Sequence, residues 1–371
     1  MSDTLVRRQA FALILVSCLV GSAAASPPRS NEAIYLRGHI DLIPQLTLGG
    51  GSEEGESAPV FFRPRDVDVG KDGHIYVLDG ETCEVVVFDA NGTYLTRFAR
   101  EGEGPGELRD PIGLKIDHLG NIVIYETGNR RFSWFDAGGH FVTARRYHTP
   151  VARFACSRTG FIFVQTEVEH YENSAMSTQW TLAVLDSTLH SVVVVDSLRS
   201  QRWMASGSGT NTTISTQPYY EELLWCVGPS GELYVARSMS YEIKALTPTF
   251  DARRKIRRNV PPPLLTALDR NKYLKQLPSS WSSKQLHSQI KWPGHMPYFQ
   301  ALLCDSNGYL LAHRGNNANT SLLDVYRPNG TFLGEVHMQA VRYTSLFDGD
   351  SVFMRVFSDR ELPSVVQYRM E

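Results

Sequence analysis

Beyond its first two dozen residues the chain has no apolar run approaching the ~18 residues that a membrane-spanning helix requires. Neither sign of charge is in excess: 37 Lys and Arg stand against 39 Asp and Glu, for a formal net charge of −2. That balance gives no global reason to expect nucleic acid or an anionic membrane as partner. Cysteine is scarce, five in 371 residues, with no Cys-x-x-Cys pair and no clustered histidines beside any of them. A zinc knuckle is not expected from such a pattern. Cys83, Cys156, Cys226 and Cys304 read instead as small buried hydrophobes; an oxidising compartment would permit a disulfide without demanding one. Spacing offers no Ser/His/Asp or Cys/His set, and paired carboxylates for glycoside hydrolysis have no positive signal.

The N-terminus carries an address. Arg7-Arg8 form a basic start, Phe11–Val20 an apolar core and Ala23-Ala24-Ala25 a small-residue cleavage site, so residues 1–25 read as a signal peptide. The expected mature protein is exported, periplasmic or extracellular. Leu15-Val16-Ser17-Cys18 resembles the bacterial lipobox, so a lipid anchor through Cys18 stands beside soluble cleavage.

What the chain has in quantity is repetition. Val60–Phe98 and Asp110–Arg146 both read strand, Gly turn, strand, polar turn, strand ending in Phe-Asp, Gly turn, strand. Gly73 and Gly120 hold the same place in each copy, 47 positions apart, within the ~40–50-residue period of four-stranded propeller blades. Weaker copies follow from Val151, Leu223 and Phe299, and Tyr326–Leu333 repeats the Asn-Gly turn of Phe88–Leu95. A sixth copy, Val341–Leu346, Ser351–Phe357 and Ser364–Arg369, is one strand short. Ile34–Leu42 has strand character and is expected to supply it, closing the ring and removing two exposed edges. The expectation is therefore an all-β, six-bladed β-propeller, one domain over residues 34–371. Two stretches break the rhythm: Glu167–Thr178, a long polar loop, and an insertion over 253–298 between blades 4 and 5. In the insertion Leu264, Leu265, Leu268, Leu274 and Leu277 fall at helical spacing ahead of Pro278.

The second copy resembles the NHL repeat. Gly102-Glu-Gly104-Pro-Gly106 through Pro111-Ile-Gly113-Leu114 matches its inter-blade loop and first strand, and Asp117-His-Leu-Gly120-Asn121-Ile122 its first hairpin. Glu126-Thr-Gly-Asn129-Arg-Arg131-Phe132 matches the Asp-x-x-Asn-x-Arg-aliphatic run, with Glu for Asp and Phe for the aliphatic residue. The first blade keeps Asp79 alone of that run, and the other blades keep spacing only. The whole is most similar to exported six-bladed bacterial propellers. The resemblance implies a shape rather than a chemistry: NHL propellers include protein-binding scaffolds, RNA-binding modules and a zinc-dependent lyase of peptidyl-hydroxyglycine. The neighbouring calcium-dependent lactonases need a Glu/Asn/Asp set converging on one ion. The eleven histidines here scatter, with His313 alone at the end of an expected second strand.

In a propeller the second-strand ends, with the loops entering each first strand, surround one mouth of the channel. Across the six blades they read Asp79, Glu126, Glu167, Arg237, Arg314 and Arg355, three acidic and then three basic. A mouth polarised in this way suits a zwitterionic or anionic ligand, with Arg offering bidentate carboxylate or phosphate recognition. Pairing of those charges across the channel is the alternative. Tyr147, His148, Tyr171, Tyr219, Tyr220, Trp292, His295 and Tyr298 gather near the same face. Of these, Tyr147, Tyr220, Trp292 and Tyr298 are candidates for an aromatic platform; packing between blades is the alternative. The basic run Arg253–Arg258 suits either an anionic partner or a charged, solvated edge strand. The Gly102–Gly106 run precedes a strand rather than a helix, so it is an inter-blade loop and not a phosphate loop.

These readings converge on an exported, monomeric binding module that recognises a protein, peptide or small ligand through one face of the ring, with no metal or cofactor. The rival is a lyase or hydrolase at the channel mouth, with a divalent cation such as calcium near Glu126 and Glu167.

Overall fold

The computed structural model describes residues 31–49, 59–172, 175–206, 213–216, 218–276, 290–316, 320–339, 346–348, 351–356 and 363–371. Six antiparallel sheets follow one another along the chain. Blade 1 is built from Pro64–Val69, Ile75–Asp79, Glu84–Phe88 and Tyr94–Phe98, and blade 2 from Pro111–Ile116, Ile122–Glu126, Arg131–Phe135 and Phe141–Arg146. The first strands of blades 3, 4, 5 and 6 are Val151–Cys156, Leu223–Val227, Ala301–Cys304 and Leu346–Asp348. The first strands of blades 1 and 2, 2 and 3, 4 and 5, and 6 and 1 pack against one another around the axis, so the sheets stand radially with their first strands innermost. The fold is the all-β propeller that the repeat implies.

The turns explain why the period is legible. Between first and second strands Asp117 Oδ1 accepts the backbone N–H groups of Leu119 and Asn121, both at 2.9 Å. Asp305 does the same for Asn307 and Tyr309, at 3.0 and 2.8 Å. The chain then reverses through a residue at positive φ, Gly120 (91°) or Gly308 (84°), a conformation that a Cβ disfavours.

A radial sheet buries both faces, which accounts for second strands that are apolar throughout instead of alternating. Ile75–Asp79 and Ile122–Glu126 are buried at every residue. Tyr76 and Leu78 face Leu114 and Ile124 of blade 2, while Ile75 and Val77 face Leu48 and Val365 of blade 6. Six such clusters occupy the six seams between neighbouring blades. The apolar core is thus distributed as wedges, and the axis is left to other chemistry.

Two expectations need correction. Ile34 and Tyr35 lie in a short helix, Glu32–Tyr35, not a strand. Beyond it His39–Ile40 adds in parallel to the outer strand of blade 5, opposite His337 and Met338. The strand that joins the last blade is Leu42–Gly49, paired antiparallel with Ser364–Met370. The helix is pinned because Asn31 and Tyr35 donate to Asp305 at 2.9 and 2.8 Å, and Arg327 grips Glu32 at 2.8 Å.

The segment expected as a polar loop at Glu167–Thr178 is a β-ribbon. Ile162–Glu172 and Ala175–Leu185 pair over eleven positions, against five for the matching strands of blade 2. The six extra pairs raise the ribbon roughly 20 Å above the ring. The insertion carries a helix, Ala267–Gln276. Thr266 and Asp269 cap its start reciprocally, with Thr266 N–H donating to Asp269 (3.0 Å) and Asp269 N–H to the Thr266 hydroxyl (3.2 Å). Leu264 lies ahead of the helix and is exposed; Leu277 and Pro278 lie outside the described residues.

Candidate functional site in the central channel

An innermost strand pairs on one edge only, so its other row of N–H and C=O groups faces the axis and needs partners. In blade 1 this strand reads Pro64-Arg-Asp-Val-Asp-Val69, with two carboxylates where an apolar strand would be expected. Asp66 Oδ1 accepts the Val67 N–H at 3.0 Å, and its Oδ2 accepts Leu114 N–H at 3.0 Å and the Lys115 ammonium at 2.8 Å. Asp68 repeats the device one step along, accepting Val69 N–H at 3.0 Å and Ile116 N–H at 2.8 Å. The two carboxylates therefore staple the free edge of blade 2 to blade 1. Gly113 makes room, since a Cβ there would stand 3.3 Å from Asp66 Oδ2 and 3.2 Å from the Phe154 ring.

Blade 3 treats the free edge of blade 4 in the opposite sense. Arg153 Nη1 donates to the Trp225 carbonyl at 3.0 Å, and its guanidinium lies 4.6 Å from the centre of the Trp225 ring. Trp225 is held in turn by its Nε1–H to Gln165 Oε1 at 2.9 Å, while Gln165 Nε2 donates to the Leu223 carbonyl at 3.1 Å.

These groups surround a cavity of about 560 Å³ on the axis, lined by the inner strands of blades 1 to 5, a size typical of small-molecule sites. The charge of its wall is concentrated on blades 1 to 3, where Arg65, Asp66, Asp68, Lys115 and Arg153 stand among apolar residues such as Val67, Ile112 and Phe154. Blades 4 and 5 supply the mainly apolar Trp225, Cys226, Val227, Leu302, Leu303 and Cys304, with Asp305 at one end. Enclosure alone would lower Lys115, but Asp66 and Asp68 outweigh it and hold the ammonium above the ordinary lysine value. Partial desolvation by the surrounding strands pushes Asp68 up and Arg153 down from their usual ranges, although the Arg153 side chain is open to the channel. Burial also drives the Cys226 thiol up to about 12 and raises Cys156 and Cys304, so these thiols are poor nucleophiles.

The second-strand ends do different work. Asp79, 1% exposed, accepts the N–H groups of Phe62 (2.6 Å), Arg63 (3.1 Å) and Glu81 (2.9 Å), fastening the loop that enters blade 1. Glu126, fully buried, accepts Arg109 N–H (2.9 Å), Asn129 (2.5 Å), Arg131 (2.7 Å) and the Ser133 hydroxyl (2.7 Å). Arg131 also donates to the carbonyls of Glu103, Gly104 and Glu107. The run that resembles the NHL repeat is thus a clamp on the glycine loop.

Arg237 crosses to blade 3, donating to Asp196 at 3.0 Å and the Ser197 carbonyl at 3.2 Å. Arg314, with Arg258 and Tyr241, surrounds the fully buried Asp324 in the seam of blades 4 and 5. His313 is buried beside it, opposite Ala301 and Leu323. Glu167 stands half-buried at the foot of the ribbon, opposite Trp180. Arg355 faces Val365 in blade 6, and its side chain lies outside the described residues. None of the other six lines the channel cavity.

The four platform aromatics are also dispersed. Tyr147 packs on Phe132, and Tyr220 stacks on Trp180 with ring centres 5.7 Å apart. Trp292 meets Tyr273 of the insertion helix, and Tyr298 meets Tyr241 and His295. They pin the insertion and the ribbon to the ring rather than forming one surface. Among the described residues no three His, Cys, Asp or Glu side chains are grouped so as to hold a metal ion.

A family model described as a 6-bladed beta-propeller, DUF5128, matches residues 64–299, from the first strand of blade 1 to the approach to blade 5. The chain belongs to that family. Over 130 residues it is 32% identical to the Caenorhabditis elegans protein named “Probable peptidyl-alpha-hydroxyglycine alpha-amidating lyase pgal-1”. That match covers 34% of this chain and 37% of the nematode protein. Among solved structures, a duf4221 family member from Bacteroides vulgatus superposes with a TM-score of 0.52 at 10% identity, covering 90% of this chain and 99% of that one. A Bacteroides fragilis protein classed by name as exported gives 0.50 at 12% identity, covering 90% and 95%. At such identities the two structures show the fold alone. No helix among the described residues is long and apolar enough to cross a membrane.

Proposed function

We propose that this protein is an exported binding module that takes a small ligand into its central channel. The observation that carries the reading is the cavity of about 560 Å³ whose wall concentrates its charge on blades 1 to 3 and is mainly apolar on blades 4 and 5. Groups in a rigid inner ring, each fixed by a neighbouring blade, are pre-organised for a ligand. Export is supported by the signal-like residues 1–25. The test is a ligand screen by thermal shift, followed by hydrogen exchange on the hits. Binding in the channel protects Pro64–Val69, Pro111–Ile116 and Val151–Cys156. Hits that protect only the ribbon Glu167–Thr178 or the insertion would overturn the channel assignment.

The second reading, a channel-mouth lyase or hydrolase using a divalent ion, is favoured by the 32% identity to the nematode lyase over 130 residues. Its test is metal analysis of protein purified without chelator. A stoichiometric ion lost on Glu126→Gln would favour it over the binding module.

A further inference from the structure

Two cations of the channel wall, Lys115 and Arg153, are only partly engaged. Among the described residues the Lys115 ammonium, with three N–H donors, makes one hydrogen bond, to Asp66. Arg153, with five, makes one, to the Trp225 carbonyl. Both line the same channel cavity. They lie close enough for Arg153 to repel the Lys115 charge, so an anion placed between them gains from both. The two facing carboxylates are already committed: Asp66 accepts three donors and Asp68 accepts two backbone N–H groups. The open hydrogen-bonding capacity of this wall is thus donor capacity. Opposite it, Val227, Leu303 and Cys304 present half-buried apolar surface to the cavity.

We propose that the channel binds an amphiphilic organic anion, its carboxylate or phosphate held between Lys115 and Arg153 and its hydrocarbon body against the inner strands of blades 4 and 5. This rests on the channel-binding reading and names the ligand class for it. A simple inorganic anion would leave the apolar wall unused. A neutral hydrocarbon would displace water from the open donors of both cations and give them no acceptor in return, which binding must then compensate.

Isothermal titration calorimetry with octanoate, octyl phosphate, octanol, octylamine and inorganic phosphate tests it on the exported chain. Octanoate or octyl phosphate is expected to bind at least ~10-fold more tightly than octanol, the difference expected of a hydrogen-bonded charge. The tighter of the two identifies the head group. Arg153→Met, which gives up a single hydrogen bond to protein, should abolish that preference, and Arg153→Lys should retain part of it. Lys115→Met should weaken the anion similarly, with its Tm recorded to confirm folding. Octylamine binding as tightly as octanoate, inorganic phosphate binding as tightly as octyl phosphate, or an anion preference unchanged in a folded Arg153→Met protein would overturn the proposal. A neutral or cationic hit that still protects the inner strands would sink the anion assignment while leaving the channel reading intact. Binding that protects no inner strand would remove both.

Discussion

The inner strands of blades 1 to 3 and those of blades 4 and 5 occupy equivalent places and solve the same problem differently. The inner strands of blades 1 and 3 carry charged side chains, Asp66, Asp68 and Arg153, that reach across to the free backbone edges of blades 2 and 4. In blades 4 and 5 the strands Leu223–Val227 and Ala301–Cys304 offer apolar side chains, and the seam beside them is filled by Cys226, Phe299 and Leu302. The charged side chains at the axis come from blades 1 to 3, and blades 4 and 5 add packing and, at Trp225, a backbone carbonyl for Arg153 to grip. The difference leaves a channel with its charge concentrated on one side and a mainly apolar surface on the other, from a repeat that is uniform in its turns.

Four tests would break or sharpen that contrast. The largest effect is expected in the apolar half: Trp225→Ala removes a fully buried ring and should cost about 3–5 kcal/mol in chemical denaturation. In the charged half, Asp66→Ala leaves Lys115 and the Leu114 N–H without their acceptor. It should cost about 2–3 kcal/mol, below the ~3–5 of a fully buried pair because Asp66 and Lys115 are 13% and 24% exposed. Lys115→Met should cost less than Asp66→Ala, since Asp66 keeps two backbone donors. An equal loss would mean that the ion pair, not the edge stapling, holds blades 1 and 2 together.

The third concerns pH. Burial raises Asp68, so the folded chain keeps that proton to higher pH than the unfolded chain, whose carboxylates titrate near ~4. Within that window the native state binds more protons, and stability falls as pH rises through it. Asp68→Asn should flatten this slope in a series of Tm measurements upward from pH 4; a steeper slope would contradict the enclosed setting of Asp68. The smallest effect is expected from Arg153→Met, about 1–2 kcal/mol, the worth of one hydrogen bond and one cation–π contact. A loss of several kcal/mol would make Arg153 a structural strut.

The blade period was readable because the turns need special chemistry: a short polar side chain to cap two N–H groups, then a residue that tolerates positive φ, as in Asp117 with Gly120. The acids at the second-strand ends were readable in position but not in role. Asp79 and Glu126 are consumed by backbone donors of the entering loops, and which donors converge on them is a property of tertiary structure. The channel charges did leave a trace, since Arg65-Asp66-Val67-Asp68 is an odd sequence for a strand packed on both sides. Nothing local says that those carboxylates serve the next blade. The closing strand was placed too early because Ile34-Tyr35 look strand-like, whereas Pro44 and Gln45 do not. Pro44 is tolerated on an outer edge, and the register shifts between Pro44 and Leu46.

The N-terminal segment has a consequence for how the molecule comes into being. His39 pairs opposite His337, and Leu42 opposite Met370. The first part of the folded chain to be synthesised therefore waits for the last. Until residue 370 has emerged, blade 6 lacks its partner strand and Leu42–Gly49 is an unpaired edge, open to self-association. A chain threaded through an export channel from its N-terminus meets the same delay on the far side. Truncation of the final seven residues should leave an open ring with a stray strand at each end, more prone to aggregate than to unfold cleanly.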